Sequence, residues 1–275
     1  MNEKYLKSLS EEEKYILRDK GTEKPFSGVY NDFYDAGVFI CRACKSPLYE
    51  SNTKFNSGCG WPSFDDQIDG AINCYEDLSG GRVRTEICCA KCDGHLGHVF
   101  YGENLTIKNT RHCVNSLSIQ FKAYKNLELL TLAGGNFWYL DKLYRNLTGV
   151  YLLHVGYMGG KIEHSTYEQV QSGKTNHSEV VQIYFEPSII SYEHILSIFF
   201  NHCVFLNKKL KLVNNWHKPI IYFNSKEQKE QAENLLSNHS AKASCLATIQ
   251  VKAETVFFRA EEQHQNYINK NKSIF

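Results

Sequence analysis

Apolar and polar positions follow two different patterns along this chain. Ser10-Glu-Glu-Glu13 has the form of a capping box, in which Ser10 and Glu13 serve each other's backbone amides, so a short helix is expected to about Asp19. From Gly21 to Phe121 the apolar runs shorten and are broken by Gly, Asn and Asp, with strands expected at 37–40, 81–87, 96–100 and 116–121. Residues 122–130 lead into a second texture. There, 137–147 is spaced like a helix ending at Gly149, followed by a strand at 180–185 and an amphipathic helix from Ser191 to about His202. A strand at 219–223, a helix capped by Ser225 and Gln228, and a strand at 247–253 complete the pattern. The first half therefore reads as mainly antiparallel β, and the second as α+β with a sheet covered by helices.

Length agrees with two units, because 275 residues exceed the roughly 100–200 of one domain. The boundary is expected between 124 and 125, giving domains 1–124 and 125–275. A net charge of +1 gives no reason to expect nucleic acid or an anionic surface as partner. The N-terminus lacks a secretory pattern and no run approaches about 18 apolar residues, so a cytoplasmic protein without membrane contact is expected. A reducing compartment favours metal and redox roles for thiols over structural disulfides.

Eight of the ten cysteines precede residue 114. Cys41/Cys44 and Cys89/Cys92 form two CxxC pairs, the pattern of a closed, structural tetrahedral zinc site with one ion per chain. Cys88 competes with Cys89 for ligation, and the two-residue spacing favours Cys89. Cys59, Cys74, Cys88 and Cys113 remain for other chemistry. Cys113 lies in Thr110-Arg-His-Cys-Val-Asn-Ser116, where Arg111 and His112 would favour a thiolate; the alternative is a buried, inert thiol. His95 and His98 follow the second pair and can address one cavity as proton donor and orienter. A further zinc site is disfavoured because four thiolates already saturate the ion. Gly58-Cys-Gly-Trp-Pro-Ser-Phe64 presents Trp61 and Phe64 from a tight loop, as a pocket wall or as cover for the core.

Taken in order, Gly21-Thr-Glu-Lys-Pro-Phe-Ser-Gly28, Ser57 to Phe64, His95-Leu-Gly-His98 and Arg111-His-Cys-Val-Asn-Ser116 resemble the methionine-R-sulfoxide reductases, the MsrB type, over roughly residues 5–122. The resemblance implies a barrel-like fold of two antiparallel sheets, zinc on Cys41, Cys44, Cys89 and Cys92, Cys113 as nucleophile and Cys59 as resolving cysteine. His95 or His98 would protonate the sulfoxide oxygen. Trp61 and Phe64 would hold the S-methyl group, and Arg111 and Asn115 would position the catalytic groups. His112 replaces the usual tyrosine and is expected to add positive charge beside the thiolate. Oxidised methionine in peptides is the implied substrate and thioredoxin the implied reductant, with Cys74 or Cys88 next in line should Cys59 not resolve.

The second half resembles the complementary methionine-S-sulfoxide reductases, the MsrA type, through Ala133-Gly-Gly-Asn-Phe-Trp138, Gly156-Tyr-Met-Gly-Gly160, Ser165 to Val170, Ser172 to Glu179 and Gln265-Asn-Tyr267. A ferredoxin-like α/β sandwich is implied. Asn136 stands where the family nucleophile falls, and it reads as the N-cap of the following helix. Gln169 is taken as the counterpart of the catalytic glutamate, and Lys211 to His217, with Trp216, as a rewritten tyrosine-bearing segment. Tyr157, Phe137 and Trp138 remain as a possible cleft, while Cys203 and Cys245 read as core. The expectation is an R-specific reductase with an inactive second domain. The competing class is a zinc-stapled module that binds oxidised or methionine-containing peptides without turnover.

Overall fold

The computed structural model describes residues 1–210, 219–240 and 243–271. The segment 211–217, with Trp216, lies outside them. The chain divides into two compact units, Met1–Asn126 and Leu127–Phe275.

The first unit opens with α1 (Glu11–Leu17), and both reciprocal bonds of the Ser10/Glu13 capping box are made. Two antiparallel sheets follow. One has the order β2-β1-β9, from β1 (Gly37–Cys41), β2 (Pro47–Glu50) and β9 (Ile119–Ala123). The other has the order β3-β4-β8-β7-β6-β5, from β3 (Lys54–Phe55), β4 (Ser63–Phe64), β5 (Ile72–Asp77), β6 (Arg84–Cys89), β7 (His95–Tyr101) and β8 (Thr110–Val114). Phe39, Tyr49, Phe64, Ile87, Leu96, Val99, Val114 and Ile119 form its core. Strand alternation then assigns the larger sheet's two faces. Thr85, Val99, His112 and Phe64 make one cross-strand row, on the core side, while Glu86, His98, Cys113 and Ser63 make the next, on the other side.

A bulge decides what joins that second row. On β6 and β7, Ile87 pairs with Gly97 but Cys88 pairs with His95, so Leu96 is the extra residue and drops into the core. Without it, residues three apart on a strand would point to opposite faces; with it, His95 and His98 share one face.

The second unit has a six-stranded sheet in the order β14-β13-β10-β12-β11-β15. Its strands are β10 (Glu128–Ala133), β11 (Val150–Met158), β12 (Ser178–Phe185), β13 (Ile220–Phe223), β14 (Gln250–Ala253) and β15 (Phe258–Arg259). All neighbours are antiparallel except the parallel pair β13 and β14. Helices α2 (Phe137–Tyr144) and α4 (Tyr192–Leu210) bury Phe137, Leu140, Tyr144, Ile195, Leu196 and Phe199 in one core with Leu130, Leu132, Val155, Val181, Ile183 and Ile221 of the sheet. The other helices are α3 (Tyr167–Gln171), α5 (Lys226–Ser240) and α6 (Tyr267–Lys270). α4 continues well beyond the expected His202, and α2 stops at Tyr144, short of the expected 147. Cys203 is buried in this core and Cys245 packs against it.

Candidate active sites

The two CxxC pairs are built alike. In each, the amide four residues after the first cysteine donates to that cysteine's carbonyl, Lys45 to Cys41 at 3.0 Å and Asp93 to Cys89 at 2.8 Å. In each, the first cysteine's own amide donates five residues on, Cys41 to the Ser46 carbonyl and Cys89 to that of Gly94. Lys45 and Asp93 both take the left-handed conformation that closes such a turn. The four sulfurs gather within 4.8 Å of one another, with Cys41 to Cys92 at 3.6 Å and Cys44 to Cys89 at 3.5 Å. Four sulfurs on a tetrahedron with metal–sulfur bonds of about 2.3 Å stand about 3.8 Å apart, so the donor set and its size fit zinc. Cys88 points to the other face of β6, out of the cluster.

On that face the thiols of Cys113 and Cys59 lie 3.7 Å apart. The Ser57 hydroxyl donates to the Cys59 sulfur at 3.0 Å, and Ser57 and Ser63 hydroxyls are 2.7 Å apart. At 3.7 Å the two sulfurs can share one proton, and either can be the donor. With Cys113 donating, Cys59 is held down at about 4 and Cys113 is pushed far up, an effect that burial reinforces and Arg111 opposes. The first proton therefore leaves the pair easily and the second with difficulty. Arg111 is clamped by Glu103 through two bonds of 2.6 and 2.8 Å and lies 4.4 Å over the Phe100 ring.

His98 stands directly across from Cys113 and is held through Nε2 by Asp77 at 2.8 Å. Its ring is 5.6 Å from that of His95. His95 Nδ1 is 2.7 Å from Glu86 Oε1, while its Nε2 is buried with no partner. Burial pulls the His95 pKa down and the Glu86 carboxylate pushes back.

Trp61 donates its indole N–H to the Glu23 carbonyl at 3.1 Å. Glu23, which entered the sequence reading only as part of a motif, also grips the other side of the site. Its amide donates to Asn115 Oδ1, and its carboxylate accepts from the Ser116 and Leu117 amides at 2.6 and 3.1 Å. Asn115 is buried and donates to the Leu96 carbonyl, fixing the chain just past Cys113. The Phe26 amide closes the clasp on the Gly60 carbonyl at 2.7 Å.

Two sequence assignments in the first unit change. Phe64 is fully buried, stacked on Tyr49 with centroids 4.2 Å apart, and lies on the core face opposite Cys113; it cannot line a pocket there. His112 occupies the same core face, against the Tyr49 hydroxyl at 3.2 Å. Burial lowers its pKa to about 4, so it is neutral and gives the thiol no charge.

In the second unit, Asn136 caps α2 by accepting the Trp138 amide at 2.8 Å. Gln169 is exposed and spent in a capping box with Thr166, which rules it out as the buried polar group of a cleft. The carboxyl at this site is Glu179. It is fully buried, its Oε2 accepts the Phe137 amide at 3.0 Å, its Oε1 has no partner, and burial raises its pKa to about 7. The signal was available, since Glu179 closes the quoted motif beginning at Ser172 and immediately precedes the mostly apolar run 180–185. Phe137 and Trp138 stack with Tyr167, and Trp138 lies on Tyr267 at 3.9 Å. Tyr157 is buried beneath Phe137 and its hydroxyl donates to Glu261 at 2.8 Å.

Comparison with known proteins falls on the same two units. A profile described as "SelR domain" matches residues 9–123, and one described as "Peptide methionine sulfoxide reductase" matches residues 128–275. The chain belongs to the peptide methionine sulfoxide reductases. Its first unit is MsrB-type, 54% identical over 123 residues to peptide methionine sulfoxide reductase B5 of Arabidopsis thaliana, covering 44% of this chain and 87% of that protein. It is 48% identical over 122 residues to the MsrB of Alteromonas mediterranea, covering 44% and 85%. Among solved structures, reduced Mxr1 of Saccharomyces cerevisiae matches at 23% identity and TM-score 0.49, over 54% of this chain and 87% of that one. The reductase is thus an oxidoreductase of two parts, MsrB-type then MsrA-type. Among the described residues no helix is long and apolar enough to cross a membrane.

Proposed function

We propose that this reductase acts on peptide methionine-R-sulfoxide through Cys113 and recycles through Cys59. With the proton of the thiol pair passed to Cys59, a thiolate at Cys113 attacks the sulfoxide sulfur while His95, or His98 through water, delivers a proton to the oxygen. The oxygen passes to Cys113 as a sulfenic acid and methionine leaves. The Cys59 thiol then condenses with it, forming the disulfide and releasing water, and an external dithiol, thioredoxin by family resemblance, returns both thiols. The observation that carries this reading is the 3.7 Å approach of the two free sulfurs on the face that also bears His98. Trp61, fixed by Glu23, is the aromatic side chain left to receive the S-methyl group.

Cys41, Cys44, Cys89 and Cys92 would hold one structural zinc, whose contribution is folding energy. The functional domains are taken as 1–124 and 125–275, the second with a ferredoxin-like sandwich. Its central order β13-β10-β12-β11, with α2 following β10 and α4 following β12, supports that assignment. With Asn136 where a thiol would act, the second domain does not reduce the S epimer. Assaying the full chain separately on the two resolved epimers tests both statements. R-epimer turnover alone is expected; S-epimer turnover would overturn the inactive second domain, and no R-epimer turnover would overturn the role of Cys113.

A further inference from the structure

Glu86 lies outside the zinc cluster and the thiol pair, yet both its oxygens are engaged on the catalytic face. Oε1 meets His95 Nδ1 at 2.7 Å and Oε2 meets the Lys20 ammonium at 2.7 Å. The carboxyl is only 4% exposed. Burial opposes its charge, but the bonds from Lys20 and His95 outweigh that and keep it below the usual carboxylate range. Lys20 is itself held in place: it takes a left-handed conformation, φ 58°, just past α1, and the following Gly21 amide donates to the Tyr15 carbonyl at 2.9 Å.

An ionised carboxylate only accepts hydrogen bonds. Nδ1 of His95 must therefore carry a hydrogen, and when the ring gains a proton it does so at Nε2, the buried atom with no partner. We propose that Glu86 is the positioning residue of the sulfoxide-reducing site, setting the orientation and tautomer of His95 so that Nε2 is the atom that delivers the proton. This rests on the reading of His95 as proton donor. The groups facing His95 are Glu86 and Cys88 from β6, His98 from its own strand, and Lys20 from the turn after α1. Glu86, Cys88 and His95 bring their ligand atoms within 4.8 Å of one another, a spacing that also suits a metal ion. Lys20 already places a cation on the free carboxylate oxygen, so the protein completes the cluster itself.

The chain of charges, Lys20 positive, Glu86 negative, His95 titrating, gives the test two opposite signs. Single-turnover reduction of an R-sulfoxide peptide by the full chain is followed against pH. General acid catalysis supplies about 100- to 10,000-fold, and Glu86→Gln should forfeit about 10- to 100-fold of it. Its alkaline limb should move to lower pH, because the imidazolium loses its counter-charge. Lys20→Met should move that limb to higher pH, because a repelling ammonium is gone, and retained zinc together with an unchanged His95 tautomer distinguishes this from a loosened fold, which would also raise the His95 pKa. Glu86→Asp should recover part of the loss, and 15N spectra should show the His95 Nδ1–H tautomer in the parent and a mixture in Glu86→Gln. A wild-type rate, unshifted limb and unchanged tautomer in Glu86→Gln would overturn the proposal. His95→Asn separates the two levels: a wild-type rate there overturns the donor reading itself, whereas a slow His95→Asn beside a fast Glu86→Gln overturns only the positioning role. Should Glu86→Gln fail to retain zinc, Lys20→Met still decides the question, since an unshifted or acid-shifted limb there counts against it.

Discussion

Gly97→Ala probes the register on which the catalytic face depends. An added methyl group would lie 2.0 Å from the Cys113 carbonyl oxygen, 3.0 Å from its carbonyl carbon and 3.2 Å from Val114 Cα. Carbon–oxygen approaches in sheets are ordinarily about 3.3 Å or more, so β7 and β8 must separate locally by about 1 Å. Every near atom belongs to the backbone, and no side-chain rotation can relieve the clash. Gly97 also has φ 154°, a conformation that L side chains rarely adopt. Overpacking costs about 1–3 kcal/mol and an unfavourable backbone about 1–3 kcal/mol, which together put the loss at about 2–6 kcal/mol, over most of that range below the 5–15 kcal/mol typical of a whole domain. The variant should therefore fold.

Its activity should suffer more than its stability. The separation falls beside the His98/Cys113 pair, and a displacement of about 1 Å in a catalytic arrangement can cost about 100-fold. Urea denaturation followed by zinc release reports the first domain, and single-turnover R-sulfoxide reduction reports the site. An unchanged midpoint together with an unchanged rate would refute the close approach of the two strands. Lost stability at full rate would instead show that the His98/Cys113 register does not matter to the chemistry.

Cys59→Ser should complete one turnover and then stall with thioredoxin; steady cycling would pass the resolving role to another thiol, though Cys74 is exposed on β5 and Cys88 faces His95. Metal analysis should return one zinc per chain, and Cys41→Ser should unfold the first domain, since such sites supply of order 10 kcal/mol of folding energy; a folded, active, zinc-free protein would contradict this. Glu179 keeps its proton to about 7 when folded but to 4.5 when free, so its contribution to stability is fullest below pH 4.5 and falls as pH rises to 7, by at most about 3 kcal/mol. Glu179→Gln should flatten that slope in denaturation measured across this range, and an unchanged slope would count against a buried, proton-holding carboxyl. Asn136→Cys should gain measurable S-epimer reduction, because a thiol there would meet both a helix N-terminus and the acid of Glu179; complete inactivity of a folded variant would place the defect elsewhere.

Local patterns carried the sequence reading where they were unambiguous. The Ser10/Glu13 box formed as written, and the runs at 37–40 and 96–100 became Gly37–Cys41 and His95–Tyr101. The run at 116–121 began instead as a short 3-10 turn, Ser116–Ser118, because the Glu23 carboxylate takes the Ser116 and Leu117 amides. β5 is not legible in the sequence because its middle residues are exposed on both sides, and β11 is not because nearly all of it is buried; neither alternates. The histidines were recognisable, but the Leu96 bulge that brings them to one face is visible only in the pairing. Phe64 and His112 were misplaced for the same reason: sequence puts them beside Ser63 and Cys113, while strand alternation turns them to the opposite face.

The second domain separates what serves the fold from what does not. Asn136 is a favourable N-cap, and replacing a thiol with it leaves the α2 terminus satisfied at no structural expense. Glu179 has the opposite character: a fully buried carboxyl with one oxygen unpartnered, it lowers stability at neutral pH, as do buried polar atoms left unpaired at Trp138 Nε1 and both His264 nitrogens. These groups gather around the stacked rings of Phe137, Trp138, Tyr167 and His264. A site shaped only by packing would have filled those positions with apolar side chains of similar volume, which are neutral or stabilising in such places. On the reading proposed above, the domain carries a cap at Asn136 where a nucleophile would act, while still bearing the energetic cost of buried, unpaired polar atoms among stacked aromatic rings.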